Sequence, residues 1–96
     1  MNIIVKYERK TIFGDREYIE DKKNNASFCD LKKSFSFLKK SYDIAIEIDS
    51  IVIYWDKLSD FENNIVTIRN YDGINCTEKT QSFETCKKEF YKQFKE

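Results

Sequence analysis

The pattern of apolar and polar positions is most regular between residues 42 and 56. Isoleucines alternate with smaller or charged residues from Ile44 to Ile48, and the alternation resumes from Ile51 to Trp55. Alternation with a period of two is typical of a strand that buries one face. This segment is therefore predicted to form the centre of a β-sheet.

Two geometries fit this central segment. If Asp49 and Ser50 form a two-residue hairpin turn, Ile48 lies opposite Ile51 and all the alternating apolar side chains share one face. A single long strand needs a bulge at Ser50 to keep them on one face. Asp-Ser is a weaker turn signal than Asn-Gly or Asp-Gly. We prefer the hairpin and keep the bulged strand as the alternative.

The flanking segments contain turn signals and helical spacing. One hairpin is predicted around Gly14, from strands at 2–13 and 16–21. A second is predicted around Gly73, from strands at 64–70 and 74–80. Residues 57–64 form a polar connector. Two amphipathic helices are predicted to begin after Ser27 and Ser82, the first with Asp30 in a capping box. Their apolar stripes are Phe28, Leu31, Phe35 and Leu38, and then Phe83, Cys86, Phe90 and Phe94.

These elements predict one α+β domain over residues 1–96. It has a mainly antiparallel sheet of five or six strands with two amphipathic helices packed on one face, in the order ββαββββα. The chain contains no proline, so nothing in its composition marks a domain boundary. The second sheet face is expected to be partly solvated, and a binding surface is expected there.

Composition removes most catalytic chemistry. The chain has no histidine and two glycines, which excludes His-based nucleophile systems and Gly-rich phosphate loops. The carboxylates Glu47, Asp49 and Asp56 are interpreted as outward-facing strand residues, and Cys29 has no base near it in sequence. We expect no catalytic, cofactor or metal site, and no enzyme activity.

Cysteine usage and hydropathy bear on location. The three cysteines contain no Cys-x-x-Cys pair, no targeting segment is visible, and the longest apolar run is far too short to span a membrane. These features predict reduced thiols, a cytoplasmic location and no membrane partner.

Charge is balanced overall and uneven along the chain. The 17 basic and 17 acidic residues give a formal charge of zero, which makes direct binding of nucleic acid the less favoured option. Residues 43–62 hold six acidic residues against Lys57, whereas residues 22–40 hold six lysines against Asp30. Tyr54 alternates with buried positions and is expected to be exposed. The predicted partner-binding residues are Asp43, Glu47, Asp49, Tyr54, Asp56, Asp60 and Glu62.

An acidic surface favours docking to a basic partner, because complementary charge raises the association rate and specificity. We therefore expect a small protein that binds another protein stoichiometrically, with a basic nucleic-acid-binding protein as partner. In size, in its Lys, Asn and Ile bias and in its lack of active-site chemistry, the chain resembles the small inhibitor proteins of phages and mobile elements, such as anti-CRISPR proteins, with no shared motif. The alternatives are a nucleic-acid-binding module, using the Lys-bearing helices or the open sheet face, and a subunit or adaptor of a larger assembly.

Overall fold

The computed structural model describes residues 1–94 and confirms the predicted α+β class. The elements in chain order are β1 (Ile3–Lys10), β2 (Arg16–Lys23), α1 (Phe28–Leu38), β3 (Ala45–Ile48), β4 (Ile51–Tyr54), α2 (Leu58–Glu62), β5 (Ile65–Asp72), β6 (Asn75–Ser82) and α3 (Phe83–Phe94). The strands form one six-stranded antiparallel sheet in the order β2-β1-β3-β4-β5-β6. The central hairpin therefore lies in the middle of the sheet.

The hairpin geometry of the central segment is confirmed and the bulged strand is excluded. Ile48 pairs with Ile51 and Ile46 pairs with Ile53. Asp49 occupies the turn with φ of 54°, a left-handed conformation that Asp tolerates better than most residues. The carboxylate of Asp49 also accepts a hydrogen bond from the backbone N–H of Asn2 at 3.0 Å. This contact ties the turn to the start of the chain.

The polar connector at 57–64 contains a short helix that the sequence analysis did not predict. Five residues are too few to show helical periodicity, and no side chain caps the start of α2. Phe61 holds α2 in place through edge-to-face contacts with Trp55 and Tyr42, at ring-centroid distances of 5.2 and 5.9 Å. The first strand is also shorter than predicted, because Thr11 to Asp15 form the turn, where the N–H of Thr11 donates to the carbonyl of Asp15.

The two predicted amphipathic helices cover one face of the sheet. The capping box of α1 is present, since Ser27 Oγ accepts from the N–H of Asp30 and the Asp30 carboxylate accepts from the N–H of Ser27. The fully buried side chains from α1, α3 and the sheet form one core, which includes Leu31, Phe35, Leu38, Cys86, Ile46, Ile48, Ile53 and Val66. The opposite face, on which Lys6, Glu47 and Tyr54 lie, is not covered by α1 or α3 and is called the open face below.

Trp55 joins three elements of the core. Its indole N–H donates to the carbonyl oxygens of Leu38 and Ser41, both at 3.1 Å. Its ring stacks on Phe83 of α3 at a centroid distance of 5.8 Å. The end of α1, the following loop and α3 are therefore held by one side chain, in addition to the contact with Phe61 of α2.

We expect Trp55→Phe to lower the free energy of unfolding by about 2–3 kcal/mol, because it leaves two carbonyl groups without a donor and opens a cavity. Urea denaturation followed by circular dichroism measures the change. The matched control is Tyr54→Phe, because the Tyr54 hydroxyl is buried without a hydrogen-bond partner among residues 1–94. This control should change stability by less than about 0.5 kcal/mol. Equal losses in both variants would contradict the role given to Trp55.

Candidate functional site

A cleft on the open face arises from the unequal lengths of neighbouring strands. β1 pairs with β3 only from Ile3 to Lys6, but its pairing with β2 continues to Lys10. The β1–β2 hairpin therefore projects past the start of β3 and the end of β4. The space beside this projection is a cleft of about 330 Å³.

Four of the ten residues that line this cleft are tyrosines, and we call it the tyrosine cleft. Ala45 lies between Lys6 of β1 and Tyr54 of β4 in the register of the sheet, and its small side chain leaves the floor open. The other lining residues come from the projecting hairpin and from the segment that joins α1 to β3. The full lining is Lys6, Tyr7, Glu8, Tyr18, Tyr42, Asp43, Ile44, Ala45, Tyr54 and Trp55.

Two of the charged groups in the cleft are paired within the protein. The ammonium of Lys6 lies 2.7 Å from a carboxylate oxygen of Glu47, and this hydrogen bond raises the pKa of Lys6. Glu8 lies 3.3 Å from the guanidinium of Arg16. By contrast, the carboxylate of Asp43 forms no ion pair within residues 1–94. Asp43 is exposed, and it also lines a small neighbouring cavity with Arg9, Lys10 and Arg16.

The environment of Tyr54 is desolvated and partly anionic. Burial is the largest cause of the raised pKa of its hydroxyl. The positive charge of Arg69 lowers this pKa, and the negative charges of Glu78 and Asp56 raise it. The guanidinium carbon of Arg69 lies 5.1 Å from the centroid of the Tyr54 ring. Arg69 is held in turn by Glu78 at 2.7 Å. Tyr54 is half-buried, whereas the alternation had predicted an exposed side chain.

The structure divides the seven predicted partner-binding residues into separate groups. Asp43 and Tyr54 line the tyrosine cleft. Asp56, Asp60 and Glu62 lie at the same end of the sheet, because they follow the end of β4. Glu47 lies on the open face and pairs with Lys6.

Asp49 lies at the opposite end of β3, in the hairpin turn, where it stabilises the fold. The basic segment is divided as well. Lys39 directly follows α1 and reaches the carboxyl end of α2, where its ammonium contacts the side-chain oxygen of Asn64 and lies over the ring of Phe83. Lys39, from the basic segment, therefore lies beside α2, which carries Asp60 and Glu62.

Five of the seven exposed large apolar side chains among residues 1–94 lie at the end of the molecule that holds the tyrosine cleft, whereas Tyr71 and Ile74 lie near the opposite end. Ile12 and Phe13, in the turn between β1 and β2, are 94% and 84% exposed. Tyr18, Tyr42 and Leu58 are also exposed and lie at this end. Large apolar groups of this kind, rimmed by polar residues, are typical of protein interaction sites. The sequence analysis placed Ile12 and Phe13 in the first strand and Leu58 in the polar connector, and it assigned none of them to a binding surface, because local patterns do not show which loops meet.

A second cavity, of about 370 Å³, lies between α3 and the β5–β6 hairpin. Its floor is formed by Ile51, Ile68 and Phe90, and its rim carries both Lys79 and Glu89. None of the predicted partner-binding residues lines this cavity, and its charged lining residues are Glu78, Lys79 and Glu89.

Two observations bear on metal binding and on thiol chemistry in the described part of the chain. Within residues 1–94 no group of three His, Cys, Asp or Glu side chains is placed to hold a metal ion. Burial raises the pKa of the Cys86 thiol to about 12, so this residue is a core side chain and not a nucleophile at neutral pH. Among residues 1–94, no helix is both long and apolar enough to span a membrane.

No protein-family model, curated protein or solved structure matches this chain. The functional argument therefore depends on the geometry of the cleft and the surface around it.

Removing the charge of Glu47 and removing that of Asp43 are predicted to have different effects on stability. Glu47→Gln should lower the free energy of unfolding by about 0.5–1.5 kcal/mol, because the part-buried ammonium of Lys6 loses its partner. Asp43→Asn should cause no measurable loss, since it breaks no ion pair. Thermal and urea denaturation of both variants check this. A larger loss for Asp43→Asn than for Glu47→Gln would show that Asp43 has a structural role instead.

Proposed function

We propose that this protein is a non-enzymatic binding protein that associates stoichiometrically with another protein. The docking surface is the end of the molecule that contains the tyrosine cleft. The observation that carries this proposal is the combination, at that end, of exposed apolar side chains with carboxylates that have no ion pair within residues 1–94.

The composition of this surface supports protein binding. Aromatic side chains supply large buried area in an interface and dominate the energetic centres of many complexes. Tyr42 and Tyr18 are exposed beside the cleft, and Phe13 stands at the tip of the hairpin. Asp43, Asp56 and the acidic residues of α2 would steer the encounter with a partner of opposite charge. The partner surface is therefore expected to be basic.

A basic protein surface is commonly one that binds nucleic acid. We therefore propose that the partner is a nucleic-acid-binding protein and that occupation of its basic surface inhibits it, as in the phage anti-defence, anti-CRISPR-like type of inhibitor. The proposal places the protein in the cytoplasm, where the free thiols of Cys29, Cys76 and Cys86 remain reduced.

A second candidate function rests on the outer surface of the helices. Lys32, Lys33, Lys88 and Lys92 are exposed on α1 and α3, and Lys33 lies beside β1 and β2. A row of exposed lysines contacts phosphate groups without sequence preference. If this surface were the functional one, the protein would bind RNA or DNA directly and its affinity would fall steeply with salt.

The test begins with affinity capture from nuclease-treated lysate, followed by reconstitution of any captured protein with purified material. Light scattering after size exclusion should give a complex of fixed stoichiometry. The variant Asp56→Lys/Asp60→Lys should weaken the affinity at least about ten-fold and slow association, because the steering charge is reversed.

The matched control is Lys32→Glu/Lys33→Glu, which changes charge on α1, away from the proposed surface, and should leave the complex intact. The proposal fails if the acidic-end variant binds as well as the wild type. It also fails if only nucleic acid is captured from untreated lysate and the lysine variant abolishes that capture.

A further inference from the structure

We infer that the tyrosine cleft binds a single arginine side chain of the protein partner. The guanidinium would enter between the tyrosine rings and meet the carboxylate of Asp43. This inference rests on the proposed function, because it names the chemical group that the docking surface recognises.

The shape of the cleft fits one extended side chain. Its volume of about 330 Å³ is near the lower end of the range for ligand pockets. The floor at Ala45 is open because the neighbouring positions in the sheet register, Lys6 and Tyr54, carry long side chains and Ala45 does not. The projecting β1–β2 hairpin forms one wall, which carries Tyr18. The cleft therefore has room for one long side chain.

The charges in the cleft favour a cation. Glu47 already neutralises Lys6, and Arg16 neutralises Glu8. Asp43 remains the lining charge without an ion pair within residues 1–94. Asp56 adds negative potential near Tyr54. An anionic group such as a phosphate would meet a net negative lining, and would have to displace Glu47 from Lys6.

The aromatic lining favours arginine over lysine. A planar guanidinium stacks on aromatic faces and also binds a carboxylate through two N–H groups, whereas an ammonium is a strongly hydrated point charge. The protein itself contains such a contact, because the guanidinium of Arg69 lies over the ring of Tyr54. Tyr18 and Tyr42 are exposed in the cleft and provide rings for a second guanidinium.

The test uses a defined probe, the peptide acetyl-Gly-Arg-Gly-amide, titrated into the isotope-labelled full chain and followed by NMR. We expect saturable shifts confined to residues of the cleft, with a dissociation constant on the order of 1–10 mM, as befits a single side chain. The same peptide with citrulline, which is nearly isosteric and uncharged, should produce no saturable shift. The lysine peptide should bind more weakly than the arginine peptide.

Variants separate the contributions of shape and charge. Ala45→Leu fills the floor without changing any charge and should abolish peptide binding, and a larger apolar residue at this partly exposed strand position should leave the fold intact. Asp43→Asn should weaken binding roughly ten-fold. The control Glu62→Gln removes a carboxylate at the same end but outside the cleft and should bind as the wild type does.

The inference is overturned if the arginine peptide gives no localised shifts, if citrulline binds equally well, or if Ala45→Leu binds like the wild type while its remaining spectrum is unchanged. Its failure is distinguishable from that of the proposed function. If the protein complex forms with Ala45→Leu and Asp43→Asn but not with Asp56→Lys/Asp60→Lys, the arginine site is wrong and the proposed docking surface stands. If the arginine peptide binds to the cleft but no protein partner is captured, the arginine site stands and the proposed function is wrong.

Discussion

The two hydrogen bonds from the indole of Trp55 are the contacts on which the rest of this structure most depends. The indole N–H donates to the carbonyl oxygen of Leu38, the last residue of α1, and to the carbonyl oxygen of Ser41 in the following loop. Carbonyls at a helix end have no partner within the helix and must find one elsewhere. Because the same ring stacks on Phe83, the helix layer and the sheet are fixed to each other at one point.

This contact also positions the candidate site. The loop after Ser41 carries Tyr42 and Asp43 into the tyrosine cleft. Tyr54 is the last residue of β4 and directly precedes Trp55. Neighbouring strand residues point to opposite faces, so the strand that buries Trp55 in the core presents Tyr54 to the open face. The cleft is therefore built on a rigid strand and a pinned loop, which reduces the ordering that binding would require.

Charge in this protein matters through its placement and not through its total. Much of the open face is internally neutral, because Lys6 pairs with Glu47 and Arg69 pairs with Glu78. Such cross-strand pairs stabilise the sheet by a few tenths of a kcal/mol to about 1 kcal/mol each. The carboxylates left without ion pairs in the described chain are therefore the ones to consider for recognition, and Asp43 is the one among them that lines the tyrosine cleft.

The sequence by itself determined the fold class, the capping box at Ser27 and the buried stripes of α1 and α3, because these follow from local periodicity or from contacts a few residues apart. For the central segment it favoured the hairpin, and the strand pairing decided between the hairpin and the bulged strand. Only the tertiary structure decided α2, the separation of Asp49 from Asp43, and the cleft. Tyr18, Asp43 and Tyr54 meet because β1 pairs with β3 for four residues and then continues beyond it. Strand register and unequal strand lengths are properties of the assembled sheet, and no local pattern of apolar and polar residues specifies them.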